Sequence, residues 1–191
     1  ADTVDAVLRI FRSHGRHPQL YRRRGNEVHI YYTDLLPQEE TFVHRVSLDG
    51  RSFERFYHRV PHLKSSPAIF FSCQGTYAQQ SAIKEEIDRV AGIRSTLYRD
   101  TYMEDNWFLE IFREDAGKDR GVERLRQRLH ADRIVAFGDN ENDIPMFSIA
   151  DLACCVANAS DAAKAAADIE IAANTEDGVA HYLNGIYNRK L

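Results

Sequence analysis

Four consecutive apolar residues, Ile134-Val135-Ala136-Phe137, run into Gly138 and then into the acidic, amide-rich turn Asp139-Asn140-Glu141-Asn142-Asp143. An apolar run without alternation suits a strand buried on both faces, and such strands belong to parallel sheets flanked by helices. The surrounding residues agree. Val122, Leu125 and Leu129 share one helical face ahead of the run. After it come a short helix near Pro145 to Ile149, a second apolar strand from Leu152 to Val156, an Ala-rich helix opened by Ser160, a strand from Ile169 to Ala173 and a helix from about Glu176 to Tyr187. Alternating strands and helices build a doubly wound sheet, so residues 113–191 are expected to form an α/β unit.

Residues 1–112 have a different rhythm. Val4, Val7, Leu8 and Phe11 mark a first helix, closed by Gly15 and Pro18. Leu20 to Arg24 and Val28 to Tyr32 flank Gly25-Asn26 as a hairpin, and Phe42 to Leu48, Asp49-Gly50 and Phe53 to Val60 repeat that pattern less clearly. Ala68 to Cys73 reads as a strand and Thr76 to Ala91 as a helix ended by Gly92. Thr96 to Tyr102 and Trp107 to Phe112 read as two more strands. The expectation is an antiparallel sheet with a few helices, an α+β unit, with the boundary near residues 113–117.

Composition narrows the class of partner. The 191 residues are 43% hydrophobic, enough for a real core, and 25 basic against 29 acidic residues give a net charge of -4. Neither nucleic acid nor an anionic membrane is expected as a partner on that balance. The run Arg22-Arg23-Arg24 reads either as an exposed strand face or as a local attraction for a phosphorylated substrate. Cys73, Cys154 and Cys155 have no zinc-ligand spacing and fit a reduced, cytoplasmic setting, and the eight histidines read as surface or partly buried residues. No stretch has the length of a membrane span or the pattern of an export signal.

Ligands of open α/β sheets bind beyond the carboxyl ends of the strands, which is where Asp139 falls. A hard cation such as Mg2+ takes carboxylate oxygen, keeps several waters and is commonly completed by substrate phosphate. Asp139 suits a direct ligand, Asp143 suits a water-mediated or orienting one, and the uncharged Asn142 amide suits a phosphate oxygen. An Asx-rich turn that only caps the following helix has the same composition. Lys118, ahead of the Val122 helix, offers a compact positive charge for a phosphoryl group, or is an ordinary exposed lysine.

The segment from Ile134 to Leu183 resembles the C-terminal part of Cof-type phosphatases, subfamily IIB of the haloacid dehalogenase superfamily. The resemblance lies in Gly138-Asp139-x-x-Asn142-Asp143, in Ile144 and Met146, in Val156-Ala157-Asn158-Ala159, in Ala167-Asp168, and in Glu176-Asp177-Gly178-Val179-Ala180, in family order. It implies the C-terminal part of a Rossmann-like core in residues 113–191 and an α+β cap in residues 1–112. It also implies that Asp139 and Asp143 are metal-site residues for Mg2+, that Asn142 holds phosphate, and that a lysine near Gly117-Lys118-Asp119-Arg120-Gly121 is catalytic. In the family glycine usually follows that lysine directly. Here Asp119 does, so Arg120, in register with Gly121, competes with Lys118, and the helical phase of Leu125 and Leu129 favours Lys118.

The resemblance further implies hydrolysis of a phosphomonoester of a small metabolite, such as a sugar phosphate, through an aspartyl-phosphate. No D-x-D-G-T nucleophile motif occurs in these residues. Asp2-Thr3-Val4-Asp5 has helical periodicity and Asp49-Gly50 lacks the first carboxylate, so the nucleophile is expected outside this sequence. In the fold so implied, the strand from Ile134 to Phe137 has a neighbour beside it, expected here to be an N-terminal core segment or another chain. A non-catalytic phosphate- or cation-binding protein and one half of a two-chain enzyme are the rival readings. Tyr31, Tyr32, Trp107 and Arg113 are candidates for a substrate pocket, or packing residues.

Overall fold

The structure is a computed structural model and describes residues 2–41, 55–63, 68–100 and 103–187. It divides into two compact units, Ala1–Glu114 and Asp115–Leu191.

In the first unit, helix α1 (Asp2–Ser13) precedes strands β1 (Gln19–Arg24) and β2 (Glu27–Tyr32), which are joined by Gly25 in the left-handed region. Strands β3 (Arg55–Arg59), β4 (Phe70–Gly75), β5 (Ile93–Arg99) and β6 (Trp107–Arg113) complete a six-stranded sheet in the order β3-β2-β1-β4-β6-β5. Helix α2 (Tyr77–Ile87) starts directly after β4, where Thr76 and Gln79 exchange hydrogen bonds in a capping box. Alternate strand residues Leu20, Phe71, Cys73, Leu109 and Ile111 meet Val7, Leu8 and Phe11 of α1 and Ile83 and Ile87 of α2 in one buried aliphatic core.

Two expectations for this unit change. The expected second hairpin falls partly on residues 42–54, outside the described residues, and β3 pairs with β2 in parallel, so the sheet is mixed. Alternation reports which face a side chain takes, but not the direction of the neighbouring strand. The pairing is fixed by side chains far apart in sequence: His29 Nδ1 and His58 Nε2 lie 2.9 Å apart, Tyr31 stacks on His58 and Phe56 on His29. The strand expected from Thr96 begins at Ile93, because polar Arg94 and Ser95 hide the alternation that Ile93 opens.

The second unit contains α3 (Lys118–Leu129), β7 (Val135–Gly138), α4 (Ile144–Phe147), β8 (Leu152–Val156), α5 (Asp161–Ala166), β9 (Ile169–Ile171) and α6 (Gly178–Tyr187). The strands are all parallel in the order β7-β8-β9, with the intervening helices serving as crossovers. Ala136, Ala153, Cys155 and Ala163 pack as small side chains around Phe147 in the core of this unit. β9 is shorter and α6 starts later than the sequence pattern predicts. A 3-10 turn (Asn174–Glu176) and the left-handed Asp177 intervene, and a Cβ on Gly178 would lie 1.8 Å from the Ala172 carbonyl oxygen.

Helix α3 forms as its periodicity predicts, yet it has no buried residue, and Leu125 and Leu129 are 55% and 69% exposed. Among the described residues β7 has one strand neighbour, β8, and its other edge faces none. No described helix is long and apolar enough to cross a membrane, and the three cysteines are buried free thiols.

Candidate active site

Gly138 ends β7 and Asp139 opens the turn beyond its carboxyl end. The turn is built around the carboxylate of Asp143. Its Oδ2 accepts from the backbone N–H of Asp139 at 2.9 Å and of Asn140 at 3.2 Å, while the Asn140 carbonyl accepts from Asp143 N–H at 2.9 Å. Asn140, buried and extended, uses its Oδ1 to accept from Glu141 N–H. Only glycine fits at 138, since a Cβ there would lie 2.6 Å from the Asp143 Cβ. One further bond ties the turn to the next loop: Ser160 N–H donates to the Asp139 carbonyl at 2.9 Å, and Ser160 Oγ caps α5 by accepting from Ala163 N–H.

The other oxygen of Asp143 accepts from Lys118 Nζ at 2.5 Å, and the same ammonium donates to Asn142 Oδ1 at 3.3 Å. Lys118 is thus the first residue of α3 and reaches the acidic turn, whereas the side chain of Arg120 turns to Asp119 at 3.8 Å. Asp143 is 5% exposed and Lys118 49%, so the pair joins a buried carboxylate to a half-exposed cation. The carboxyl of Asp139 is held above the usual aspartate range, first by partial burial, then by the negative charge of Asp143, with Lys118 offsetting part of the shift.

Two adjoining carboxylates with one ammonium, bonded to Asp143, form a site short of positive charge, which is the donor chemistry a hard cation fits. Among the described residues no three acidic, histidine or cysteine side chains converge on one point. The turn therefore offers a divalent cation at most two carboxylates, Asp139 directly and Asp143 through its fixed position, and leaves the remaining coordination to water or phosphate oxygens.

Four sequence-selected residues, Lys118, Asp139, Asn142 and Asp143, are brought together; the pocket candidates of the first unit are not. Trp107 and Arg113 stand at opposite ends of β6, about 20 Å apart at strand rise. Trp107 packs edge-on to Tyr77, and Tyr31 lies between His58 and the Arg22 guanidinium. Arg23 bonds the Gly25 carbonyl at the hairpin turn. Asn140 and Ser160 also shape the turn beyond the residues the sequence singles out, and the capping-box spacing of Asn140-x-x-Asp143 is the sequence signal for Asn140. Asn158 and Asn174 also exchange two hydrogen bonds, at 2.9 and 3.1 Å, between the loops after β8 and β9.

The family model for haloacid dehalogenase-like hydrolases matches residues 1–183. The chain belongs to this family. Among curated relatives, a phosphoglycolate phosphatase of Halorubrum lacusprofundi is 43% identical over 74 residues, 38% of this chain and 33% of that protein. The pyridoxal phosphate phosphatase YbhA of Escherichia coli is 46% identical over 52 residues, 27% of this chain and 19% of that one. The Bacillus subtilis enzyme YitU, a 5-amino-6-(5-phospho-D-ribitylamino)uracil phosphatase, is 27% identical over 114 residues, 56% and 42% of the two chains.

Solved structures share the fold over nearly the whole chain. A haloacid dehalogenase-like hydrolase from Bacteroides thetaiotaomicron has TM-score 0.67 at 21% identity, covering 97% of this chain and 66% of that one. A subclass IIB sugar phosphatase has TM-score 0.68 at 16% identity, with 96% and 65% covered. This haloacid dehalogenase-like chain therefore spans about two thirds of the solved structures it resembles and less of its curated relatives. It combines a mixed-sheet α+β unit with a parallel-sheet α/β unit, the α/β class expected from the sequence.

Proposed function

We propose that this chain is the cap and C-terminal core portion of a cytoplasmic, magnesium-dependent phosphatase acting on a small phosphorylated metabolite, with an aspartate nucleophile supplied from outside these residues. The observation that carries the reading is the paired Asp139 and Asp143 carboxylates, with Lys118 and Asn142 against them, beyond the carboxyl end of β7. The relatives' phosphatase names support the same class of reaction.

Asp139 and Asp143 would hold the magnesium, which when bound neutralises charge on a phosphoryl group. Asp143 keeps its backbone bonds and fixes the direction in which Asp139 points. Lys118 and Asn142 present N–H donors, and because the Lys118 ammonium already rests on two oxygens it meets an incoming phosphoryl group without being drawn from bulk water. The exposed Leu125 and Leu129 and the outer edge of β7 are the surfaces on which the additional core segment would rest.

The test is hydrolysis of 4-nitrophenyl phosphate with and without Mg2+ by the full gene-encoded protein, by this chain, and by full-length Asp139→Ala. The expected outcome is magnesium-dependent turnover in the full protein only, reduced about a hundredfold or more in the variant. Turnover indifferent to Asp139→Ala would remove Asp139 from the site. Turnover by the 191-residue chain would overturn the external nucleophile, and a full protein without turnover would favour a non-catalytic binding role.

A further inference from the structure

Asp139 is exposed, and the direction of its carboxylate depends on the two planar peptide groups that flank its Cα. Asp143 Oδ2 accepts from the N–H of both, at Asp139 and at Asn140. Two bonds that converge on one oxygen oppose a pivot about that oxygen only weakly. The third bond comes from elsewhere: Ser160 N–H, in the loop after β8, donates to the Asp139 carbonyl at 2.9 Å and opposes the pivot. Through it the neighbouring loop can set the acidic turn.

The N–H of Ser160 belongs to the 159–160 peptide, so its aim is set from the side of Asn158, while the Ser160 hydroxyl is committed to capping α5. Ala159 N–H closes a turn on the Val156 carbonyl, which ties the loop to its own strand. Asn158 ties it to the next loop. Its Oδ1 accepts from Asn174 N–H at 3.1 Å and its Nδ2 donates to Asn174 Oδ1 at 2.9 Å. A backbone N–H requires an acceptor, which fixes which end of the Asn158 amide faces it, and the two bonds together stop the amide from rotating. Asn174 is a firm anchor. Glu176 accepts from Ala173 N–H at 3.3 Å, the N–H groups of Glu176 and Gly178 return to the Ala173 carbonyl at 3.0 and 3.1 Å, and Gly178 admits the Ala172 oxygen. Both asparagines are exposed, where bonded amides gain little over amides in water. A pair that adds little stability yet defines a position has the character of an orienting contact.

We propose that Asn158 is a positioning residue for Asp139: locked on Asn174, it aims the Ser160 N–H at the Asp139 carbonyl and so sets the direction of the carboxylate offered to a divalent cation. This role rests on the magnesium phosphatase reading for the use made of Asp139, and on the second unit alone for its contacts. Variants of the full gene-encoded protein grade the lock. Asn158→Ala removes both bonds and Asn174→Ala removes one, whereas Asn174→Asp keeps both, because a carboxylate oxygen accepts from Asn158 Nδ2 as the amide oxygen does. Calorimetric titration with Mg2+ should show affinity about tenfold weaker in Asn158→Ala, an intermediate loss in Asn174→Ala and none in Asn174→Asp, the size typical of groups that orient metal ligands. The Ser160 amide should exchange with deuterium faster in the same order, with the melting temperature little changed. In turnover of 4-nitrophenyl phosphate, the Mg2+ concentration for half-maximal rate should rise in that order while KM for the ester at saturating Mg2+ stays. If Asn158→Ala does not fold, Asn174→Ala against Asn174→Asp makes the same comparison. Mg2+ affinity that is absent, or the same in wild type and variants, overturns the proposal, and so does weaker affinity with unaltered Ser160 exchange. Graded affinity and exchange in a full protein without turnover retain the positioning role and remove the phosphatase reading; magnesium-dependent turnover with ungraded affinity does the reverse.

Discussion

Asp143 accepts on both carboxylate oxygens, from two backbone N–H groups on one side and from Lys118 on the other. An asparagine can accept on one side only and would turn an amide N–H toward donors on the other. Asp143→Asn is therefore expected to destabilise the fold by about 1.5–3 kcal/mol, the range for hydrogen bonds to a charged group. Lys118→Met, which leaves the two backbone bonds intact and removes a half-exposed partner, is expected to cost less. Urea unfolding of the two variants checks the order, and equal losses would mean that Lys118, not the backbone, holds Asp143. This hierarchy was invisible in the sequence: Asp139, Asn142 and Asp143 are adjacent and were legible as a cation turn, but Lys118 lies 25 residues from Asp143. Lys118 and Arg120 sit about 200° apart on a helix, so the fold alone selects the one that faces the turn.

Glu39 gives a pH prediction of the same scale. Buried, it accepts from Leu36 N–H at 2.8 Å and Gln74 N–H at 3.1 Å with Arg16 at 3.8 Å, and burial raises its pKa although all three partners oppose the shift. A carboxyl with a raised folded pKa contributes stability that is full below its unfolded pKa and is lost as pH rises through the folded value. From about pH 4 to about pH 7 the wild type should lose urea stability relative to Glu39→Gln. The variant starts lower, having one acceptor for two donors, so the slope and not the intercept is diagnostic. A pH-independent difference would show an ordinary carboxyl.

At the scale of elements, single residues at the ends decide more than the apolar patterns between them. Ser160 caps α5 with its hydroxyl and holds the Asp139 carbonyl with its N–H, so the side chain and backbone of one residue serve different structures. Ser160→Ala removes only the first and should cost about 1 kcal/mol in thermal unfolding. Gly178→Ala forces a methyl into the Ala172 carbonyl and should cost about 3 kcal/mol or more, shifting the start of α6. The cap at Ser160 was legible because serine precedes a helical run. The late start of α6 was not, because the 3-10 turn over Asn174–Glu176, the left-handed Asp177 and the close approach of the Ala172 carbonyl to Gly178 leave no periodic signal. The parallel direction of β3 was hidden for a similar reason, resting on His29 and His58 across distant sequence.

For the whole molecule, the informative surface is the stripe of Leu125 and Leu129 on α3. The helix carries arginines among these leucines, so periodicity made it legible as amphipathic, but periodicity cannot say what the apolar side meets. Among the described residues it meets no core, and one edge of β7 has no strand neighbour. If the proposed additional core segment rests there, leucine and solvent never meet in the full protein, and the two contexts separate cleanly. Leu125→Gln with Leu129→Gln should change the unfolding free energy of this chain by no more than about 0.5 kcal/mol, as surface changes do. In the full protein the same pair should cost about 2 kcal/mol or more, since each leucine would then leave a buried contact for a polar group. Equal, small effects in both proteins would mean that the stripe stays open and that whatever completes the site lies elsewhere. A large loss in the 191-residue chain would mean that these leucines are buried by a partner already present in it, such as a second copy.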